Sequence, residues 1–251
     1  MAQTTLSIII PIYNEAATVK QLLEQVYAVK LSNGIKKEMV LVVSPSNDQS
    51  EQRVKEFIKE SGDTDNDIKV IFQSKAKGKG NAVREGLSES TGDILLIQDA
   101  DLEYDVNDYN ELLAPILNGK TDFVLGSRHL SAGNWKIRNF SGQPISALIL
   151  NMGGFFFHLF FNVIYGQRLS DPTTMYKIFR RKYLSEFKLY SDRFDFDFEL
   201  LAKLLRAGAK PLEIPVSYSS RDFTEGKKIR PFKDPMSWVI AILKFRFSKL
   251  K

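Results

Sequence analysis

The chain contains no cysteine, and among its 251 residues there are only two histidines and two tryptophans. Without thiols it can hold neither a disulfide framework nor a Cys-ligated zinc or iron–sulfur centre, and it suits a reducing compartment. A secretory leader is not evident either: MAQTTLSIII has no basic start and runs directly into a β-branched stretch. The expectation is a cytoplasmic protein. Extreme charge is missing too. Thirty-five Lys and Arg against thirty Asp and Glu leave a net charge of +5, an excess that serves solubility and does not call for nucleic acid as a partner. The basic residues thicken towards the C-terminus, in EGKKIRPFKD and LKFRFSKLK, which suits phosphates or an acidic membrane surface. What remains is ordinary globular composition, 43% hydrophobic and 26% charged, enough for one sizeable α/β core.

Residues 6–10, 39–43, 68–72 and 94–97 are short aliphatic runs without polar alternation, as expected of strands covered on both faces. Amphipathic segments lie between them. Asn14 is placed to cap a helix running to about Val29, a second helix follows Asn47 and Asp48 through QSEQRVKEFIKE, and a third spans about Gly80 to Ser90. Alternating strands and helices imply a mostly parallel sheet whose ligands sit beyond the carboxyl ends of its strands. After about residue 130 the pattern changes. PISALILNMGGFFFHLFFNVIYG, residues 144–166, is nearly continuous in apolar residues but carries Asn151, His158, Asn162 and the pair Gly153-Gly154. Its length nears a membrane span, while its polar residues favour two short helices in or on the bilayer face, with a buried core helix and a true span as the alternatives. MSWVIAIL is too short to cross a bilayer and is followed by basic and aromatic residues, the composition of a peripheral anchor. The expected organisation is one domain over 1–235 with an interfacial helical insertion at 143–166, followed by a basic amphipathic tail over 236–251.

The stretch LLIQDADLEYD, residues 95–105, begins as a strand and ends in four carboxylates, Asp99, Asp101, Glu103 and Asp105. On an extended segment Asp99 and Asp101 point the same way and Ala100 the other. Like charges this close call for a cation or a shared proton. Hard oxygen donors suit Mg2+ or Mn2+, which take few protein ligands and complete their shell with water and phosphate. Asp105 or Asp108 is expected to cap the helix of YNELLAPIL.

LSIIIPIYNEAATV, GKGNAVREGL, DILLIQDADLEYD, DFVLGSRHL, LSDPTTMYKIFRR and FDFDFELLAKLLRAGAKPLEIPVSYSSRDFTEGKKI occur in that order. Together they resemble family 2 glycosyltransferases, in the branch of dolichyl-phosphate mannosyltransferase and the bacterial polyprenyl-phosphate sugar transferases, over about residues 5–235. The resemblance implies a GT-A fold and an inverting transfer from a nucleotide diphosphate sugar to a polyprenyl phosphate at the cytoplasmic face of a membrane. It implies donor contacts at Pro11, Tyr13, Glu15, Ser44 and Ala100, and a catalytic donor and metal site at Asp99 and Asp101 with Glu103. Arg221 and Lys227 would hold the donor phosphates, and Arg128 and Arg138 the acceptor phosphate. An acceptor phosphate is already ionised and needs no general base. Asp195, Asp197 and Glu199 of FDFDFELL therefore read as charges favoured at a helix start.

The resemblance fails at one place. Relatives continue the second strand with Asp-Asp-Gly-Ser, whereas this chain has VVSPSNDQS, with Ser44 and Pro45 where the carboxylate and glycine would stand. A hydroxyl cannot offer a carboxylate to a base N–H. The identity of the base stays open, as do two rival readings: a transferase acting on a glycan hydroxyl, and a regulator that binds nucleotide sugars without turnover.

Overall fold

The structure is a computed structural model that describes residues 3–62, 67–133, 144–220 and 233–250. Arg138, Arg221 and Lys227 lie outside the described residues. Seven strands form one sheet in the order β3-β2-β1-β4-β6-β5-β7: β1 Thr5–Ile12, β2 Lys36–Val43, β3 Ile68–Phe72, β4 Ile94–Ile97, β5 Phe123–Ser127, β6 Lys177–Arg180 and β7 Pro211–Pro215. All neighbours are parallel except β6, which runs against both β4 and β5. The four aliphatic runs read from the sequence are β1 to β4. In β1, β2 and β4 the aliphatic side chains are buried on both faces, which explains their lack of polar alternation.

The chain winds from β1 out to β3 and then returns to the other side of β1 as β4. The strand order therefore reverses between β1 and β4. Loops leaving two neighbouring strands in opposite directions open a crevice at their carboxyl ends, where α/β sheets bind ligands.

Helix α1, Val19–Ala28, buries Val19, Leu22, Leu23 and Val26 on one stripe. Asn14 does not cap it: Asn14 lies in the left-handed region at φ 52, and the helix starts only after Thr18. An Asn tolerates that conformation, and it turns the chain across the end of β1. Helix α2, Ser50–Ser61, is preceded by Asp48, whose carboxylate accepts the Ser50 and Ala16 amides at 3.0 Å each. Helix α3, Lys79–Glu89, starts from Gly78 at φ +113, where a Cβ would sit 2.4 Å from the Asp192 carbonyl oxygen. Only glycine serves there. Before α4, Tyr109–Leu117, Asp105 caps a short 3₁₀ turn by accepting the Asn107 amide, whereas Asp108 accepts the Ser217 amide across the domain at 2.6 Å.

Helix α5, Arg128–Ala132, leaves β5 directly. Helix α6, Pro144–Tyr165, is one continuous helix of 22 residues, where the sequence suggested two. Gly153 costs helix propensity of about 1 kcal/mol but does not break the helix, because the inner face is anchored through Asn151, His158 and Phe161, all buried. Asn162 closes the helix end by exchanging two hydrogen bonds with the Leu169 backbone. Helices α7, Phe196–Arg206, and α8, Lys233–Phe247, complete the fold. No described helix is long and apolar enough to cross a membrane.

Candidate active site

The crevice at the reversal point is lined on one side by the end of β1 and on the other by the turn after β4. Tyr13 is exposed, and Pro11 and Glu15 are half-buried. Thr18 ties the two sides: its hydroxyl donates to the Ala100 carbonyl at 2.7 Å and lies 3.1 Å from a Glu15 carboxylate oxygen. Thr18 thus joins Glu15 to Ala100, while Pro11 belongs to β1 and Tyr13 follows that strand directly. Ser44 stands at the end of the neighbouring strand β2, buried, with its hydroxyl donating to the Gln73 side chain at 2.6 Å. Gln73 in turn bonds Asn81 and Glu85 of α3.

The acidic turn is bent by Leu102, a rare non-glycine residue at positive φ, 60. A left-handed leucine costs about 1 kcal/mol or more and is tolerated where surrounding structure enforces it. Here the enforcement is visible: the Glu103 amide donates to Asp101 at 3.2 Å, the Glu103 carbonyl accepts the Ser219 amide at 2.8 Å, and the Glu103 carboxylate accepts the Tyr218 hydroxyl at 2.9 Å. Asp99, Asp101 and Glu103 are each partly exposed. A cleft of about 680 Å³ opens beside Glu103, between α1 and Tyr218. Asp99 and Asp101 do not line it; Leu102, Glu103 and Tyr104 do.

Asp99 faces a lysine to which no sequence motif assigned a role. Lys79, first residue of α3, places its ammonium 2.8 and 2.9 Å from the two Asp99 oxygens and 3.8 Å from Asp197. Burial alone would make the ammonium easier to deprotonate, but Asp197 and Asp99 outweigh it and hold Lys79 charged. A second lysine, Lys177 at the start of β6, is fully buried, 3.9 Å from Asp197, and donates to the Thr174 carbonyl. Burial lowers its pKa despite Asp197, and Lys79 adds to the lowering. Asp197 therefore points towards the acidic turn with two ammonium groups beside it. Glu199 plays another part: sealed in the interior, it accepts the Tyr190 and Ser191 amides and pairs with Lys203 at 2.7 Å.

Arg128 is not at the crevice surface. It is buried, with Nε and Nη2 each 2.7 Å from the two oxygens of fully buried Asp171, and its guanidinium lies 5.1 Å from the Tyr218 ring centre. Burial would raise the Asp171 pKa, but the Arg128 guanidinium overrides it and holds the carboxyl well below the usual range. Arg128 thus reaches the crevice through Tyr218, which bonds Glu103.

The oxygen donors of Asp99, Asp101 and Glu103 suit Mg2+ or Mn2+ in kind, but among the described residues the group whose ligand atoms all lie within 4.8 Å of one another is His129, His158 and Asp171, not these three. Lys79 already supplies one positive charge to Asp99, so Asp101 and Glu103 are the members of the set without that lysine bond. Lys79 and Asp197 had weak sequence signals: a lysine opening a helix just past a strand lies on the ligand side of such a sheet, and Asp197 stands in the first turn of α7. Asp171 had none, because its partner is 43 residues away.

Residues 7–187 match the family described as Glycosyl transferase family 2. Among curated proteins, the chain is 26% identical to a dolichyl-phosphate beta-glucosyltransferase of Dictyostelium discoideum, covering 98% of this chain and 75% of that one. It is also 26% identical to a dolichol-phosphate mannosyltransferase of Pyrococcus furiosus, covering 88% of this chain but only 58% of that protein's length. The undecaprenyl-phosphate 4-deoxy-4-formamido-L-arabinose transferase of Enterobacter sp. is 27% identical over 88% of this chain and 62% of its own. Among solved structures, glucosyl-3-phosphoglycerate synthase from Mycobacterium tuberculosis, in complex with Mn2+, uridine diphosphate and glucosyl-3-phosphoglycerate, superposes with a TM-score of 0.65 at 18% identity, over 97% of this chain and 80% of that one. This likeness shows the fold, which is GT-A. With more than half of its length matched in collinear order, the chain belongs to glycosyl transferase family 2.

Proposed function

We propose that this protein transfers a sugar from a nucleotide diphosphate donor to a polyprenyl phosphate, working at a membrane surface from its cytoplasmic side. The single observation that carries the reading is the acidic turn Asp99–Glu103, strained at Leu102 and clamped by Lys79, at the point where the strand order reverses. The names of the curated relatives, which act on dolichyl and undecaprenyl phosphates, support the acceptor class.

In the proposed reaction an ionised phosphate oxygen of the lipid attacks the anomeric carbon of the sugar. The bond from that carbon to the donor diphosphate breaks, its electron pair leaves with the nucleoside diphosphate, and the configuration inverts. No proton has to be removed from the acceptor, so no general base is required. Asp197, flanked by Lys79 and Lys177, then acts electrostatically by holding two ammonium groups beside the acidic turn. Pro11, Tyr13, Glu15, Ser44 and Ala100 form the wall for the base and ribose. Arg221 and Lys227 are assigned to the donor phosphates, and Arg128 and Arg138 to the acceptor phosphate, with Asp171 orienting Arg128. A divalent ion at Asp99, Asp101 and Glu103 would supply charge neutralisation for the leaving diphosphate.

The lipid has a surface to come from. On α6, Leu148, Met152, Phe155, Phe156, Leu159 and Val163 are exposed along one stripe, and on α8 Ile240, Leu243 and Phe247 are exposed. The two helices are joined by the Tyr165 hydroxyl on the Ile242 carbonyl and by Arg246 on the Ile164 carbonyl. A continuous apolar stripe of this size marks an interaction face, and Lys244, Arg246 and Lys249 suit anionic headgroups. The test combines the protein, Mn2+, a panel of labelled nucleotide sugars and short polyprenyl phosphates in anionic vesicles. A lipid-soluble product is expected, lost by at least a hundredfold in Asp101→Ala. Label appearing on a glycan hydroxyl and never on the isoprenoid phosphate, or donor binding without any turnover, overturns the reading.

A further inference from the structure

Both histidines of the chain stand in one place, far in sequence from each other and from the acidic turn. His129 lies on α5 and His158 on α6, with ring centres 4.9 Å apart and planes perpendicular. Beside them is the Asp171 carboxylate, 3.9 Å from His158 Nε2. One ligand atom from each of the three residues lies within 4.8 Å of the others. We propose that His129, His158 and Asp171 form a second cation site, chemically different from the acidic turn and suited to a borderline divalent transition metal such as zinc.

Three features carry this. The first is the donor set. Two imidazoles and one carboxylate are the three-protein-ligand pattern of tetrahedral zinc, whereas Mg2+ and Ca2+ call for oxygen donors. Donors around a tetrahedral zinc stand about 3.4 Å apart, from bond lengths near 2.1 Å, so from separations of up to 4.8 Å a closure of at most about 1.4 Å through side-chain rotation completes the geometry. His129 is half-buried on a short helix and can supply that movement.

The second is the support behind the ligands. Metal-binding carboxylates are held from behind by hydrogen bonds, and Asp171 is held by both Arg128 nitrogens and by the Arg128 amide at 3.1 Å. The Asp171 amide is itself fixed by Glu213 at 2.9 Å. The Thr173 hydroxyl sits among the Asp171 oxygen at 3.1 Å, His158 Nε2 at 3.0 Å and Arg128 Nη2 at 2.9 Å. Rotation of that one hydroxyl opens the position between His158 and Asp171 while leaving the Arg128 pair intact.

The third is charge. Arg128 neutralises Asp171, and Glu213 adds a negative charge behind it, so the cluster carries no net positive charge to repel an ion when the imidazoles are neutral. Affinity then rests on the nitrogens, which is why a metal that favours imidazole is specified. The consequence is mechanical: the ion would staple α6, whose outer face is the apolar stripe, to α5 and to the loop before β6.

The experiment uses the full chain, stripped with chelator, in an Asp101→Ala background that weakens the acidic turn. Titration with Co2+ followed by visible absorption is expected to saturate at one equivalent with the intense bands of a four-coordinate nitrogen–oxygen site. Zn2+ should bleach the bands by competition and raise the melting temperature. His158→Ala and, separately, His129→Ala should each weaken binding by at least tenfold. The His129 variant, on a short half-exposed helix, keeps the test decisive if the buried His158 variant fails to fold. No saturable Co2+ binding, or binding that neither histidine variant alters, overturns the proposal and leaves a polar packing cluster only. The readout is binding, so it stands or falls separately from sugar transfer.

Discussion

The protein carries two carboxylate centres, the acidic turn after β4 and Asp171, that differ in exposure and in what holds their oxygens. The turn after β4 keeps Asp99 and Asp101 partly exposed, with both Asp99 oxygens answered by the one ammonium of Lys79. Asp171 is fully enclosed, and its two oxygens receive a planar guanidinium fork, a backbone amide and a hydroxyl. A partly exposed carboxylate leaves room for an incoming ligand. A saturated one fixes geometry, and removing it strands a buried charge. The first kind is accessible as it stands; the second holds the local architecture, and an ion could reach it only after the Thr173 hydroxyl turns away from Asp171 and His158.

The sharpest way to break this contrast is to delete each carboxylate in turn. Asp171→Ala leaves the Arg128 guanidinium buried without its carboxylate counter-charge and is expected to cost about 3–5 kcal/mol of stability. Asp101→Ala acts at a partly exposed turn, where the Glu103 amide is one of its partners, and should cost less, about 1 kcal/mol. Urea denaturation of both variants measures the gap. Equal losses would remove the distinction between the two centres.

Glu38 sharpens the comparison from the other end of the sheet. It is buried and accepts from the Ser7 hydroxyl, from the Thr91 amide and hydroxyl at 2.8 Å each, and from Lys69 at 2.7 Å. Burial would raise its pKa, but the bonds from Lys69, Ser7 and Thr91 outweigh it and pull the carboxyl down from 4.5 to about 2. A depressed folded pKa contributes stability that is complete above the unfolded value and is lost as pH falls through the folded one. Between pH 4.5 and about 2 the protein should therefore lose about 3 kcal/mol through this group, as an upper figure. Glu38→Gln should flatten that part of the stability profile. A profile unchanged by the substitution would place Glu38 among the open carboxylates.

The first half of the fold was legible because its signals are local. β1 to β4 are aliphatic runs punctuated by helices, and period alone reveals them. β6, wedged antiparallel between β4 and β5, is not announced by anything near it in sequence, since an antiparallel strand inside a parallel sheet is set by tertiary fit. The same holds at the site. QDADLE was readable as a carboxylate knot at a strand end, whereas Lys79's hold on Asp99 spans 20 residues and Arg128's on Asp171 spans 43. The Asn14 cap failed for a related reason: Thr18, bonded to Ala100 on the far side of the crevice, decides where α1 begins. The Gly153-Gly154 pair suggested a break in α6, yet buried side chains on its inner face carry the helix through.

The smallest expected effect concerns the clamp itself. Lys79 contributes a fixed positive charge at Asp99, which competes with any divalent ion for the same oxygens. Replacing it with methionine keeps most of the stem and removes the charge. Asp99 and Asp197 then lose a shared partner, at about 1–3 kcal/mol of stability. With the competing ammonium gone, Mn2+ should bind about tenfold more tightly, equivalent to about 1.4 kcal/mol, as read by calorimetry without donor. Turnover should move the opposite way, because the proposed transfer needs positive charge on the leaving diphosphate that one ion alone must then provide. If Lys79→Met instead weakens Mn2+ binding, the lysine is what holds Asp99 in its binding position. The acidic turn would then depend on a fixed partner just as Asp171 does, and the division into exchangeable and saturated carboxylates would no longer separate the two centres.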